Sequence, residues 1–413
     1  MTQNTKTTKS KNIFCRHFNE CGGCSLQEMN YASQLLHKKQ KAQELFKPLW
    51  DKEINITPSC NKIYYRNKME FSFVRQIDKT KTKPDTIRFF EDKLGQKEKG
   101  RWDRAFELTD CYLLSDESVK LIAEVRTWAN KSKIPFYDQR KHTGILRHLV
   151  VREAKNTQDK MVLLIVSKID FDKNDFLNAV NKNYSATTII IAQNEKVSDV
   201  ASFEKPEILK GEGFIKEKII LPKFEFKGKK YADCDIVFRI SPSSFFQTNT
   251  ITAQEIYNKV RVLSAKINPS VIYDLYGGSG AFSFLCCDTT PKSICVEEVD
   301  GSIKDGIYNA KANGISNVEF VNAKTEDFLK ENNLPENALV ILDPPRCGLH
   351  PKALERLTVS GVKNIVYVSC NPKTLFCNLQ QLSQSYKINS VEAFDLFPHT
   401  EHLEMLTYLS LKT

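Results

Sequence analysis

The sequence predicts an α/β protein. From residue 236 the chain should form a doubly wound, mostly parallel sheet with an antiparallel edge. Residues 13–235 should form an α+β region that carries a four-cysteine site. Three observations lead there. Strand-like apolar runs alternate with helical patterns from Ile236 onward, the chain closes on two strands joined by the short link FPHTEHL, and Cys15, Cys21 and Cys24 cluster in CRHFNECGGC.

Composition sets the frame. With 413 residues the chain can hold two or three domains, and 41% hydrophobic and 10% aromatic residues suffice for buried cores. The longest apolar runs, Met161–Val166 and Thr188–Ala192, are far too short to cross a bilayer. Residues 1–12, MTQNTKTTKSKN, are polar and lysine-bearing, unlike a signal peptide, and read as a disordered tail. A cytoplasmic monomer is the expectation. The formal net charge of +10 suits a polyanion, nucleic acid first, although ordinary lysine-rich enzymes share such a balance. Twelve cysteines in a reducing compartment are not a disulfide framework.

Taken in order, the first informative stretch is the C-x5-C-x2-C array of Cys15, Cys21 and Cys24. Gly22 and Gly23 permit a tight backbone path and bring amide N–H groups near the sulfurs. Cys111, in ELTDCYLLS between a short strand-like piece and a helix from about Ser115, is the best fourth ligand. Four thiolates suit tetrahedral zinc or an iron–sulfur cluster, and the single CxxC knuckle favours [4Fe–4S]. Tyr31–Trp50 reads as an amphipathic helix, with Leu35, Leu36, Leu45, Phe46 and Leu49 inward and Lys38, Lys39 and Lys41 on the solvated face. In YYRNKMEFSFVR, Met69, Phe71 and Phe73 alternate as in a half-buried strand, and interleaved Tyr64, Tyr65, Arg66 and Lys68 suit phosphates and stacked bases. Lys79–Lys83 and Asp92–Lys99 read as loops. Residues 147–223 give strand, strand, helix (Asp172–Asn181), strand and shorter extended pieces, without a catalytic motif.

The texture then changes. DIVFRISPSSFFQTNT leads into a helix from about Thr252, and VIYDLYGGSGAFSF reads as strand, glycine turn and helix. Strands at SICVE, Val318–Asn322 and ALVIL follow, with a helix over Gly301–Asn313. NIVYVS is a buried strand that stops at Ser369-Cys370-Asn371-Pro372, where Pro372 suits the first position of a new helix. The last strands fall around Ser390–Leu396 and Glu404–Leu411. In such a Rossmann-like sheet, ligands gather at the carboxyl ends of the strands.

Candidate chemistry falls at those ends. Cys370 sits at the positive end of a helix dipole, which favours a nucleophilic thiolate, although a structural cysteine in a crossover looks the same. In DLYGGSG, Asp274 to Gly280, the glycines allow close backbone approach to a ligand, and Glu297 ends the next strand, where an acid can bind ribose hydroxyls. The G-G-x-G spacing favours S-adenosylmethionine (SAM) over a dinucleotide. Asp343, in LDPPRCGLHP, can orient cofactor or substrate, or serve as a turn carboxylate.

SPSSFFQTN, DLYGGSGAFSF, VEEV, DPPRCGL, VSCNPKTL and FPHTEHLE, in this order, resemble the SAM-dependent uracil-C5 RNA methyltransferases, which make 5-methyluridine in bacterial 23S rRNA and in the T-loop of tRNA. The likeness runs from Cys15 to the C-terminus and is strongest after residue 236. The cysteine array with Cys111 is similar to the iron–sulfur signature of the 23S rRNA branch. The resemblance implies that Cys370 adds to C6 of a uracil and that Glu404 removes the C5 proton, with Glu401 and His402 as confusable neighbours. It further implies that Gln247, Tyr276, Glu297 and Asp343 bind SAM. Two departures stand out. Lys324 occupies a position where the family often has an acid, which Glu326 or Asp327 could replace, and only fourteen residues precede Cys15, too few for the TRAM RNA-binding barrel of one rRNA branch. Alternatives are a cytosine-C5 enzyme using Cys347, a tRNA-directed enzyme, and an RNA-binding protein with a decayed methyltransferase domain.

Overall fold

The structure is a computed structural model that describes residues 13–82, 88–197 and 201–413. The tail expected over residues 1–12 and part of the loop expected at 79–83 lie outside the described residues.

Two sheets dominate. The first region begins with helix α1 (Tyr31–Phe46), whose N-terminus Asn30 caps by accepting from the Ser33 amide at 2.9 Å. Then come β1 (Asn55–Thr57), β2 (Lys68–Ile77), β3 (Phe90–Gly95), α2 (Asp116–Ser132), β4 (Leu146–Glu153), β5 (Lys160–Val166), α3 (Lys173–Asn183), β6 (Thr188–Gln193) and β7 (Glu204–Lys210). Strands β2–β7 build a mixed six-stranded sheet in the order β3-β2-β4-β5-β6-β7. Helices α2 and α3 cover one face, where Phe71, Phe73, Leu121, Val125 and Phe176 share a core.

An antiparallel pair, β8 (Ile215–Leu221) with β11 (Cys234–Ile240), links the halves, and a hairpin of β9 (Phe224–Phe226) and β10 (Lys229–Tyr231) lies between them. The second half runs α4 (Thr250–Ile267), β12 (Val271–Leu275), α5 (Ala281–Leu285), β13 (Ser293–Glu297), α6 (Asp300–Ala312), β14 (Val318–Asn322), α7 (Thr325–Glu331), β15 (Ala338–Leu342), α8 (Pro351–Val359), β16 (Asn364–Ser369), α9 (Pro372–Leu382), β17 (Tyr386–Phe394) and β18 (Glu404–Leu411). Its sheet has the order β1-β17-β18-β16-β15-β12-β13-β14. Pairs from β16 to β14 are parallel, and β18 runs antiparallel to both β16 and β17. Strands β12 and β15 are buried along their whole length, as expected of apolar runs with helices on both faces. One core continues from β4–β6 through β8, β11 and α4 into this sheet, so the halves share packed apolar surface.

Several expectations change. The first helix stops at Phe46 rather than Trp50, and its faces are not those of the hydrophobic pattern: Leu36 is exposed, whereas Lys38 is buried in an ion pair with Asp395 at 2.6 Å. The loop expected over Asp92–Lys99 begins as strand: residues 92–95 belong to β3, paired with β2, where Leu94 is buried in the same core. The stretch directly before Cys111 forms no strand, only an isolated bridge between Ala105 and Lys97. The sheet does not end on the antiparallel pair: β1, from the first region, adds parallel to β17, with Ile56 opposite Ala393. Among the described residues, no helix is long and apolar enough to cross a membrane.

Candidate active site

The Cys370 turn is locally determined. Strand β16 is apolar and buried to Ser369, Pro372 takes the first position of α9, and the Asn371 side chain accepts from the Lys373 amide at 3.2 Å. The register of β16 against β18 places Ser369 opposite Met405, so Cys370 and Glu404 stand together at one end of adjacent strands. Asp343 follows β15, the strand on the other side of β16. Its carboxylate accepts from Gln247 Nε2 at 3.2 Å.

Electrostatics here are dominated by burial. Glu404 is 1% exposed, and neither of its carboxylate oxygens has a hydrogen-bond partner among the described residues. Burial, and then the charge of Asp343, push its pKa well above the usual carboxylate range, against the pull of Arg346. Burial raises Asp343 to about 7. The Cys370 thiol is also pushed up, to about 11, by burial and then by Glu404 and Asp343, with Arg346 opposing. Burial first, and then the two acids, favour the Cys370 thiol over the thiolate, against the helix-terminal position and Arg346. Arg346 is the local counter-charge, and sequence reading missed it. Its guanidinium donates to His402 Nδ1 at 2.9 Å, and its carbonyl accepts from Asn371 Nδ2 at 3.0 Å, tying the DPPR turn to the Cys370 turn. A lone arginine beside two strand-end acids was the available signal.

The other half of the site is the glycine turn. Tyr276, Gly278 and Gly280 have left-handed φ of 61°, 57° and 85°. A Cβ on Gly277 would stand 2.5 Å from Cys295 Sγ, so only glycine fits there. Asp274 anchors the turn by accepting from the Ser283 amide and hydroxyl at 3.0 Å each, and burial raises its pKa to about 7. Glu297 accepts from the amides of Gly278 (3.0 Å) and Val299 (2.8 Å). A cleft is lined by Phe245, Gln247, Tyr276, Gly278, Ser279 and Asp343 among others. The structure thus brings Gln247, Tyr276 and Asp343 to one cleft, with Glu297 joined through Gly278.

The neighbours sort themselves by placement. Glu401 is drawn to His37 (3.2 Å) and Lys41 (2.8 Å), away from Cys370, while His402 serves Arg346. Cys347 is exposed, and its thiol donates to the Gly348 carbonyl at 3.8 Å. Of the two acids near Lys324, Glu326 lies 3.9 Å from His350, whose amide meets the Tyr276 hydroxyl at 3.4 Å, whereas Asp327 lines a separate depression with Tyr273 and Lys292.

Cys15, Cys21 and Cys24 each lie close enough to Cys111 to feel its charge. Burial pushes Cys21 to about 11 and Cys24 to about 12. The Gly23 amide donates to Cys21 Sγ at 3.2 Å, as the glycines in the array suggest. Among the described residues, no three such side chains stand in metal-ligand geometry.

Residues 214–412 match a family model described as tRNA (Uracil-5-)-methyltransferase. An uncharacterized RNA methyltransferase of Caldanaerobacter subterraneus subsp. tengcongensis is 31% identical over 404 residues, spanning 96% of this chain and 84% of the relative. Another, of Nanoarchaeum equitans, is 34% identical over 403 residues, spanning 96% and 79%. Among solved structures, the Pyrococcus abyssi tRNA (uracil-54, C5)-methyltransferase in complex with S-adenosyl-L-homocysteine is similar at a TM-score of 0.73 and 26% identity, covering 94% of this chain and 86% of that one.

Proposed function

The chain belongs to the SAM-dependent RNA uracil-C5 methyltransferases, and from that premise we propose that it methylates C5 of one uridine in 23S rRNA through Cys370 and Glu404. The observation that carries this reading is Glu404: a buried carboxylate without a partner, beside a half-buried cysteine on the adjacent strand. Such a group is costly to keep and suits a proton acceptor that meets its partner only when substrate enters.

SAM, when bound, supplies an electrophilic methyl group to C5. The residues that fit it are Gln247, Tyr276, Glu297 and Asp343, arranged on the glycine turn and cleft described above. Cys370, once its thiol is ionised with Arg346 nearby, adds to C6 of the uracil and turns C5 into a nucleophile. After methylation Glu404 takes the C5 proton, and the Cys370–C6 bond breaks to release 5-methyluridine and the thiolate. The target base must be unstacked so that C5 and C6 face the two groups together.

The preference for 23S rRNA rests on the cysteine array, which resembles that of the rRNA branch. Cys15, Cys21, Cys24 and Cys111 would be the ligands of a [4Fe–4S] cluster; the C-x5-C-x2-C spacing and the Gly23 amide that donates to Cys21 Sγ support that reading, and the thiols would have to draw together from their present arrangement to bind it. We assign the cluster a structural role within an RNA-recognition region, and the monomeric protein to the cytoplasm, where its twelve free cysteines stay reduced. A tRNA T-loop target is the second reading, favoured by the similarity to the Pyrococcus abyssi enzyme. Mapping which 5-methyluridine is lost from rRNA and tRNA on gene deletion decides between them. Cys370→Ala should abolish methylation and covalent trapping by 5-fluorouracil RNA; an active variant would overturn the mechanism.

A further inference from the structure

Among the described residues the Glu404 carboxylate has no hydrogen-bond partner, so the backbone must fix it, and the segment that delivers it is residues 395–403, between β17 and β18. That segment is held from the first region of the chain. Lys38, on α1, donates to Asp395 Oδ1 at 2.6 Å and to the Phe397 carbonyl at 3.0 Å. Gln34, one turn earlier on the same face, accepts from the His399 amide at 2.9 Å and meets His399 Nδ1 through Nε2 at 3.1 Å. The amides of Ser25 and Leu26, directly after Cys24, donate to the His399 carbonyl at 2.8 and 2.9 Å. His399 itself has a left-handed φ of 67°, a conformation a non-glycine residue keeps only when its surroundings impose it.

Both α1 residues are buried, at 1% and 2% exposure, and a buried lysine–aspartate pair holds its geometry because either partner alone would be an uncompensated charge. We infer that Gln34 and Lys38 are positioning residues for the base: their face of α1 sets the reach of Glu404 toward the C5 proton. Addition by Cys370 is served by a different turn, so a loosened brace should slow the elimination half of the reaction selectively. The inference rests on the reading of Glu404 as that base.

The test uses the full-length protein, SAM and a transcript containing the target uridine. Gln34→Ala, Lys38→Arg, the neutral pair K38M/D395N and the reference variant E404Q are compared by turnover, by the fraction of enzyme in an SDS-stable RNA adduct, and by SAM affinity. Q34A and K38M/D395N should lose roughly 10- to 100-fold in turnover, the scale of an ångström-sized misplacement. Adduct should rise toward the E404Q level while SAM affinity stays within about two-fold, and K38R should recover part of the turnover. Q34A leaves the ion pair intact, so it carries the test if the double variant does not fold. Turnover lost without adduct, or unchanged turnover, overturns the brace when E404Q does trap RNA. If E404Q traps none, the reading of Glu404 falls and the brace with it.

Discussion

Replacing Glu404 with glutamine should yield a protein that is more stable and nearly inactive. Removing a general base costs about 10²- to 10⁴-fold, and the chemistry should stall after methyl transfer, leaving a methylated RNA–Cys370 adduct. Stability should move the other way. A buried polar group without a partner costs about 1–3 kcal/mol, more when charged, and both oxygens of Glu404 are in that position. Its folded pKa is raised by burial and by Asp343, so the folded protein holds this proton more tightly than the unfolded chain does. The wild type therefore suffers no penalty below the unfolded value of about 4.3 and an increasing one as pH rises through the folded value. Urea melts at about pH 5 and pH 8 should show E404Q gaining about 1–3 kcal/mol mainly at the higher pH. Labelled methyl carried into an SDS-stable band completes the assay. A variant that is destabilised at pH 8, or that turns over without trapped RNA, would refute the reasoning.

Three further outcomes are expected. Because Cys370 is pushed up to about 11 and Glu404 above the carboxylate range, and both act deprotonated, kcat/KM should climb from about pH 6 to pH 9, by about tenfold per unit where one group titrates and up to about a hundredfold where both do; a flat profile speaks against both roles. Gly277→Ala forces a methyl group within 2.5 Å of the buried Cys295 sulfur, so thermal melts should show a loss of about 1–3 kcal/mol and calorimetry a weaker SAM interaction. Protein purified without oxygen should carry iron and sulfide, and Cys111→Ser should lose them together with part of its thermal stability; iron retained in full would remove Cys111 from the ligand set.

Much of the second half was legible because its signals are local. Strands such as Ala338–Leu342 are apolar runs bounded by Asn337 and Asp343, and Pro372 marks where α9 must begin. Gly277, Gly278 and Gly280 announce a turn, and at Gly277 the backbone leaves no room for a side chain. What could not be read depends on partners distant in sequence. Lys38 has the spacing of a solvated lysine, and only Asp395 makes it a buried one. Strand β1 is three residues long, with nothing to mark it except its place beside β17. The setting of Cys370 is of the same kind: the helix end is adjacent in sequence, while its burial and the acids at the ends of β15 and β18 come from distant segments.

The position of β1 also fixes when this protein can become complete during synthesis. Its neighbour β17 and the adjoining β18 leave the ribosome after the other strands of this sheet, yet they sit between β1 and β16. Until they arrive, Phe46 and Ile54 lack the surface of Val391 and Ala393 that shares their core. Closing so long an intervening chain costs roughly 5 kcal/mol in a simple loop-entropy estimate, and the seam of β17 and β18 must repay it. A nascent chain stopped before Glu404 therefore lacks both the proton acceptor and the seam that joins its two ends. Such a fragment leaves an apolar face on α1 open to chaperones and proteases. Quality control and catalysis thus depend on the same closing strands.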